Sequence, residues 1–389
     1  MKKIVGKVHL WLGLTSGLVV FVISVTGCIL AFEQEFKSML FPYLHAEVQE
    51  GKEPLAPSRL IAIAGKHITD KAPNGVSYPG PGRSASVMYY GADPDYYYQV
   101  FMDPYTGKVL KVWSEEEDFF HFILHGHFYL WLPPKIGQPV VASATLVFLV
   151  MLISGLVLWW PKNKGAAKQR FSIKWNARWR RKNYDLHNVL GFYVMIIAMV
   201  LALTGLVWGF EWFSNATYYA TTGKSLKDVK IPVSDTTGYT TEAARVMAVD
   251  RAWAGIQQQM PETAGMFVYT PQTKAEALNI FVNLRPGTYY KGDNYTFDQY
   301  TLQPLQATGP YSGKYADAGA GDKLRKMNYD IHTGAIWGLA GKIMMFCASL
   351  ICASLPITGT MIWLGRKKKQ RQQQRSVPVA SVRPEPVLS

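Results

Sequence analysis

The chain has 389 residues, 49% of them apolar, and a formal charge of +14. Its apolar residues gather into a few long runs, which excludes an ordinary soluble domain, and its cations gather at the ends of those runs, which argues against nucleic acid as their partner. All three cysteines lie inside the runs, which excludes a disulfide framework elsewhere and a four-thiolate iron–sulfur cluster.

Residues 8–32, 139–160, 189–210 and 343–364 contain no Asp, Glu, Lys or Arg. Each is long enough to cross a hydrocarbon core, which takes about 20 helical residues. The first is too long for a signal peptide, and no small-x-small cleavage site follows it, so it reads as a retained helix. Membrane helices are expected within 1–33, 138–161, 186–212 and 331–365. Between them lie an outer segment (34–137), a basic loop (162–185) and a second outer segment (213–330), with a tail at 366–389. The tail is basic, then Pro/Val-rich, without a periodic apolar face, and is expected to be disordered.

Charge gives the orientation. Residues 162–182 carry nine Lys/Arg and no acid, residues 366–375 carry six, and the first seven residues carry three. Those 18 exceed the whole surplus, while the two long segments are nearly balanced. By the positive-inside rule both termini and the basic loop face the cytoplasm, with membrane lipid as their neighbour, and the long segments face outward.

The outer segments resemble each other. YYYQVFMDPYTGKVL (96–110) has a hairpin pattern, and Asp298-x-Tyr300-Thr301 echoes Asp103-x-Tyr105-Thr106. A helical stretch precedes the strands in each, at 57–66 and 241–258. The duplication continues in the membrane: His9 and His187 are each followed by Gly at offset 4 and by Thr-Gly at offsets 17 and 18, and the second and fourth runs close on ISGLVLWWP and ITGTMIWLG. The expected fold is a membrane α+β protein, a four-helix transmembrane bundle from an internal duplication with two small α+β outer modules.

RRKNYDLHNVLG and RKMNYDIHTGAIWG set one signature, ending in His187 and His332, at opposite faces of the membrane. His9 joins His187 at the inner face, and His125 joins His332 at the outer. Two facing neutral imidazoles are what a six-coordinate haem b requires, so two haems are expected. Gly13, Gly17, Gly191, Gly205, Gly334 and Gly338 would give a flat macrocycle room. Arg180, Arg181 and Lys182 inside, and Arg325 and Lys326 outside, would meet its propionates. The backbone carbonyls of Asn183 and Asn328 would fix the histidine tautomers. In EEEDFFHFILHGHF, register favours His125 as the outer ligand, with His127 and His121 as alternatives. His121 and His125 with Glu117 also have the spacing of a metal site of two histidines and a carboxylate.

H-x-W-x-G in the first run, DPYTGKVL, LHGHF, ISGLVLWWPK and DIHTG together resemble the PepSY-associated transmembrane family over nearly the whole chain, to about residue 369. The resemblance implies PepSY-like periplasmic modules, an inner-membrane location and two haems. Some members are siderophore reductases, which implies electrons from a cytoplasmic or quinone donor reaching a ferric siderophore such as a hydroxamate, with iron released as Fe(II). Tyr89, Tyr90, Tyr96–Tyr98, Tyr289 and Tyr290 would then line a docking surface. A haem-free structural or regulatory protein, or a ferric-siderophore permease component, are the alternatives. A permease requires polar residues at mid-span, and the runs are apolar there.

Overall fold

Lys2–Leu30, Pro134–Trp159, Trp179–Gly209 and Ala335–Gln373 are long and apolar enough to cross a membrane. The computed structural model describes residues 2–92, 95–161, 163–168, 170–238, 241–260, 265–285 and 287–375. Its helices in chain order are α1 (Lys2–Leu30), α2 (Glu33–Leu40), α3 (Pro57–Ala64), α4 (Phe119–Tyr129), α5 (Pro134–Trp159), α6 (Lys164–Lys168), α7 (Trp179–Asp185), α8 (Gly191–Gly209), α9 (Glu211–Thr222), α10 (Glu242–Gln259), α11 (Ala320–Lys326), α12 (Asn328–Thr333) and α13 (Gly338–Arg375). The membrane bundle is formed by α1, α5, α8 and α13. Side chains such as Leu18 and Ile196, 75% and 71% exposed, point out of it, a surface that only lipid can cover without a large hydrophobic penalty. Small residues, among them Ala198, Ala202 and Ala348, bring the helices close on the inside.

α13 continues to Arg375, so the tail is helical through that residue and not unstructured from 366; residues 376–389 lie outside the described residues.

The two extramembrane segments are not separate modules. β1 (Gly75–Tyr78), β2 (Ala85–Ala92), β3 (Asp95–Met102) and β4 (Val109–Ser114) from the first segment join β5 (Gly265–Tyr269), β6 (Leu278–Asn283) and β7 (Gly292–Phe297) from the second. They form one antiparallel sheet in the order β4-β3-β2-β1-β5-β6-β7. The joint is β1 on β5, with Val76 opposite Val268, so each segment covers an edge strand the other would leave open.

Alternation sorts the two faces. Val76, Val87, Tyr89, Val100, Met102, Val268, Ile280 and Val282 point to one side, where α3 and α10 cover them with Leu60, Ala64, Trp253 and Ile256. Each such large side chain contributes about 1.5–3 kcal/mol on burial. Asp250 of α10 accepts from the Ser58 backbone N–H at 2.9 Å and from its hydroxyl at 2.5 Å, which fixes the two helices together.

The echoed Asp-x-Tyr-Thr turns are alike in detail. The carboxylate of Asp103 accepts from the N–H groups of Tyr105 and Thr106 at 2.9 and 2.8 Å, and that of Asp298 accepts from those of Tyr300 and Thr301 at the same distances.

Candidate functional site

Each membrane helix closes on a Ser-Gly or Thr-Gly pair, and each pair holds one histidine. Thr26 takes Nδ1 of His127 at 3.0 Å, Ser154 that of His9 at 2.9 Å, Thr204 that of His332 at 2.8 Å and Thr358 that of His187 at 2.9 Å. The glycine that follows lies against the same ring. A Cβ added at Gly27, Gly155, Gly205 or Gly359 would stand 3.3, 3.5, 3.6 or 3.2 Å from Cε1 of His127, His9, His332 or His187.

The hydroxyls decide the tautomer. Thr26 donates to Val22 O, Thr204 to Val200 O and Thr358 to Ser354 O, the carbonyl four residues back, and Ser154 donates to Met151 O. A hydroxyl has one proton, so with that proton on the helix backbone it accepts from Nδ1–H. All four imidazoles are thereby assigned a protonated Nδ1 and a bare Nε2, the state in which a histidine can ligate metal. The tautomer is thus set on the seat helices, by these hydroxyls together with the carbonyls of Met151, Ile23, Leu355 and Leu201, and not, as expected, by the carbonyls of Asn183 and Asn328.

The seats are exchanged in the same way twice. His9 on α1 sits on α5, and His127, just ahead of α5, sits on α1. His187 at the entry to α8 sits on α13, and His332, just ahead of α13, sits on α8. The repeated signature serves this exchange. Asn183 and Asn328 donate Nδ2–H to the carbonyls of Thr358 and Thr204, the same residues that take the histidines. Asp185, buried, accepts from Arg181 at 2.8 Å and from the Lys174 N–H; Asp330, also buried, accepts from the N–H groups of Tyr289 and Tyr290 at 3.1 and 2.8 Å. The aspartate therefore pins a neighbouring loop to the histidine helix in both cases. His187 lies in a π turn, Leu186–Leu190, where one extra residue per turn rotates the side chains that follow.

The histidine beside His332 is His127. Its ring centroid is 6.3 Å from that of His332. His125, favoured by register, instead packs edge-on against Tyr129 at 5.0 Å. His121 faces Glu115 at 3.2 Å and Glu117 pairs with Lys111, so the site of two histidines and a carboxylate is not assembled, and no group of three or more metal-binding side chains occurs among the described residues.

Local geometry sets the position of His127. α4 ends in Leu130 and Trp131, both left-handed at φ 55° and 57°, and the Trp131 indole folds back to stack on Phe122 and donate to its carbonyl at 2.9 Å. That indole occupies the space over Gly126, where a Cβ would meet it at 2.3 Å. At the other end Asp118 caps α4 through the Phe120 N–H at 2.7 Å and binds Lys37 of α2 at 2.5 Å. Burial alone would lower the Lys37 pKa, but hydrogen bonds to Asp118 and Glu33 hold it above the ordinary lysine range. Asp118→Ala is expected to destabilise the protein by about 1–2 kcal/mol through the lost cap, and further through the lost ion pair, which leaves Lys37 with Glu33 alone. Amide exchange should quicken in α4 ahead of the rest of the bundle.

His127 and His332 stand in the wall of a cavity of about 670 Å³ that runs from Val20 and Cys352 in the bundle to Tyr269, Phe281 and Asn294 under the sheet. Glu33 and Lys326 are the only formally charged residues of its lining among the described residues. Lys326 is buried and donates to Gly292 O at 3.1 Å, and burial pushes its pKa below the ordinary lysine range. Arg325 is not in the lining, but its Nε and Nη1 are buried without a partner. At the other end of the bundle Arg181 is committed to Asp185, while Lys182 is half-buried beside it. Of the glycines expected to clear space, only Gly205 touches a histidine; Gly13, Gly17 and Gly191 pack against Met151, Pro356 and Leu355. Of the tyrosines expected at a docking surface, Tyr89 is in the sheet core and Tyr290 is buried, whereas Tyr289 lines the cavity with Tyr269, Tyr311 and Tyr329.

Sequence reasoning missed the four seat hydroxyls. The signal was present in the Ser-Gly or Thr-Gly closing every apolar run, but small residues serve helix packing in any membrane protein. No curated protein matches the chain. The chain belongs to the family described as the PepSY-associated TM region, whose model matches residues 7–366.

Proposed function

We propose that this protein is an inner-membrane di-haem reductase that passes electrons across the membrane to a ferric siderophore on the sheet side, releasing iron as Fe(II). The observation that carries the reading is the His127–His332 pair, each imidazole locked with a bare Nε2, in the wall of a cofactor-sized cavity that opens under the sheet. The ring centroids of the pair stand 6.3 Å apart, which would leave room for one metal held between the two imidazoles. Lys326, the buried lysine in the wall of this cavity, suits a propionate carboxylate at the outer edge.

His9 and His187 would hold the second haem. Their seats lie toward the basic end of the bundle, and each histidine is 17 residues from the Thr that seats an outer one (26 − 9 and 204 − 187), about 26 Å along the helix. The two sites thus span most of a bilayer of ~30 Å. Haem supplies a one-electron relay; the chain supplies ligation, spacing and an apolar layer of Leu152, Val194, Ala198 and Ala348 between the sites. The matched seats support an internal duplication, and the charge distribution supports a cytoplasmic basic end and a periplasmic sheet.

The substrate would enter between sheet and bundle, against Tyr269, Phe281, Tyr289 and Tyr311. With one carboxylate and one lysine in the lining among the described residues, the cavity suits a chelate of low net charge. Hydroxamates neutralise ferric iron, whereas catecholates leave a large negative excess that would be buried uncompensated. Reduction frees the metal because hard oxygen ligands hold ferrous iron far less tightly than ferric. The test is optical. Detergent-purified protein should show a sharp Soret band that shifts on dithionite and returns when a ferric hydroxamate is added; a folded but colourless protein would overturn the reading.

A further inference from the structure

The basic end of the bundle has a feature that topology does not explain. Lys3, Lys7, Lys174, Arg178 and Arg180 are exposed there, together with the start of α13's extension at Arg366. The only acid at this end among the described residues is Asp185, which is 2% exposed and paired with Arg181. Orientation in a membrane depends on Lys and Arg near the span ends and is almost indifferent to Asp and Glu. A requirement for topology would therefore tolerate surface acids.

The shape of the patch points away from lipid. Arg180 donates to Gly365 O at 2.7 Å, which marks where α13 leaves the bundle. From Arg366 the helix runs on to Arg375, about 15 Å at 1.5 Å per residue. Arg366, Lys367, Lys368 and Lys369 are consecutive, so their side chains surround the helix and leave it no apolar side. A helix lying on a membrane needs such a side, whereas one standing in solution offers its charge to a soluble partner. The inner histidines are close beneath: Lys7 is two residues from His9 and Lys182 five from His187, about 3 and 8 Å along their helices.

We propose that this basic end is the docking surface for an acidic, soluble one-electron carrier protein. The proposal names the electron donor for the reductase reading above and rests on it. One electron leaves the reduced carrier for the inner site, and no atom or proton accompanies it. Such encounters are small, weak and steered by charge, so affinity and on-rate fall steeply with salt.

The experiment uses the full chain in nanodiscs of neutral lipid and an oxidised, acidic plant-type [2Fe–2S] ferredoxin as probe, read by binding alone. Saturable binding is expected at low salt, weakening at least tenfold when ionic strength rises from about 20 to about 200 mM. The triple variant K367Q/K368Q/K369Q should weaken it about tenfold while haem content and dithionite reduction stay unchanged. Binding no stronger than to empty nanodiscs, indifference to salt in the unaltered protein, or indifference to the triple variant overturns the proposal. So does loss of binding in anionic-lipid nanodiscs, which would make the patch a lipid surface. Colourless protein that still binds ferredoxin removes the reductase reading but not the docking surface.

Discussion

His127→Ala should remove about half of the bound haem, and His125→Ala should remove none. The two residues are close in sequence and equally able to ligate, so the contrast isolates geometry from chemistry. His127 has its Nδ1 on Thr26 and its ring 6.3 Å from His332; His125 has neither and packs on Tyr129. A bis-imidazole site that loses one ligand loses both a bond to iron and the wall behind it. The measurement is the pyridine haemochrome content per polypeptide of each variant, with His332→Ala expected to match His127→Ala and with His187→Ala removing the other half. Equal retention by His127→Ala and His125→Ala would refute the outer pair.

Thr204→Val should loosen the outer site without touching a ligand. Valine keeps the shape of threonine but removes the hydroxyl that accepts from Nδ1–H of His332 and leaves it only the Leu201 carbonyl, which costs about 1–3 kcal/mol and weakens the hold on the tautomer. Hydrogen-bond partners of metal-bound imidazoles typically change metal affinity by 10- to 100-fold. Outer haem should therefore be lost at dilutions where the inner haem is kept, and Thr204→Ser should restore it, because serine still accepts from the imidazole. The glycine beside each hydroxyl gives an internal control. A Cβ at position 359 would stand 3.2 Å from the His187 ring and displace it by a few tenths of an ångström, while one at position 205 would make ordinary contact at 3.6 Å. Gly359→Ala should shift the inner haem potential and Gly205→Ala should leave the outer nearly unchanged, as redox titration of the separated bands would show.

Much of the site could be read before the fold. His187 and His332 stood out because one signature precedes both, and the Asp-x-Tyr-Thr turns were visible as an echo that the hydrogen bonds repeat. Register points to His125, whereas the structure sets His127 beside His332, for a specific reason. Counting residues back from α5 assumes a continuous helix, and Leu130, Trp131 and Pro133 break it, so chain spacing no longer fixes which face of α4 a histidine occupies. What does fix it is Thr26-Gly27, about 100 residues earlier. The tyrosines failed similarly. Alternation separates two faces of a strand, but Tyr89 is buried because α3 and α10 cover its side of the sheet, and Tyr289, in the loop between β6 and β7, lines the cavity where Asp330 holds its N–H.

What the sequence by itself determined was the number of membrane helices, the asymmetry of charge between their ends and the kinds of side chain waiting at each end. These are properties of short stretches, summed over neighbours along the chain, and need no partner to be read. Tertiary structure alone decided which imidazole meets which, where the two extramembrane segments fuse into one sheet, and which hydroxyl holds each ring. Those outcomes depend on contacts between helices far apart in sequence, where a displacement of one residue in register turns a side chain from the cavity to the lipid.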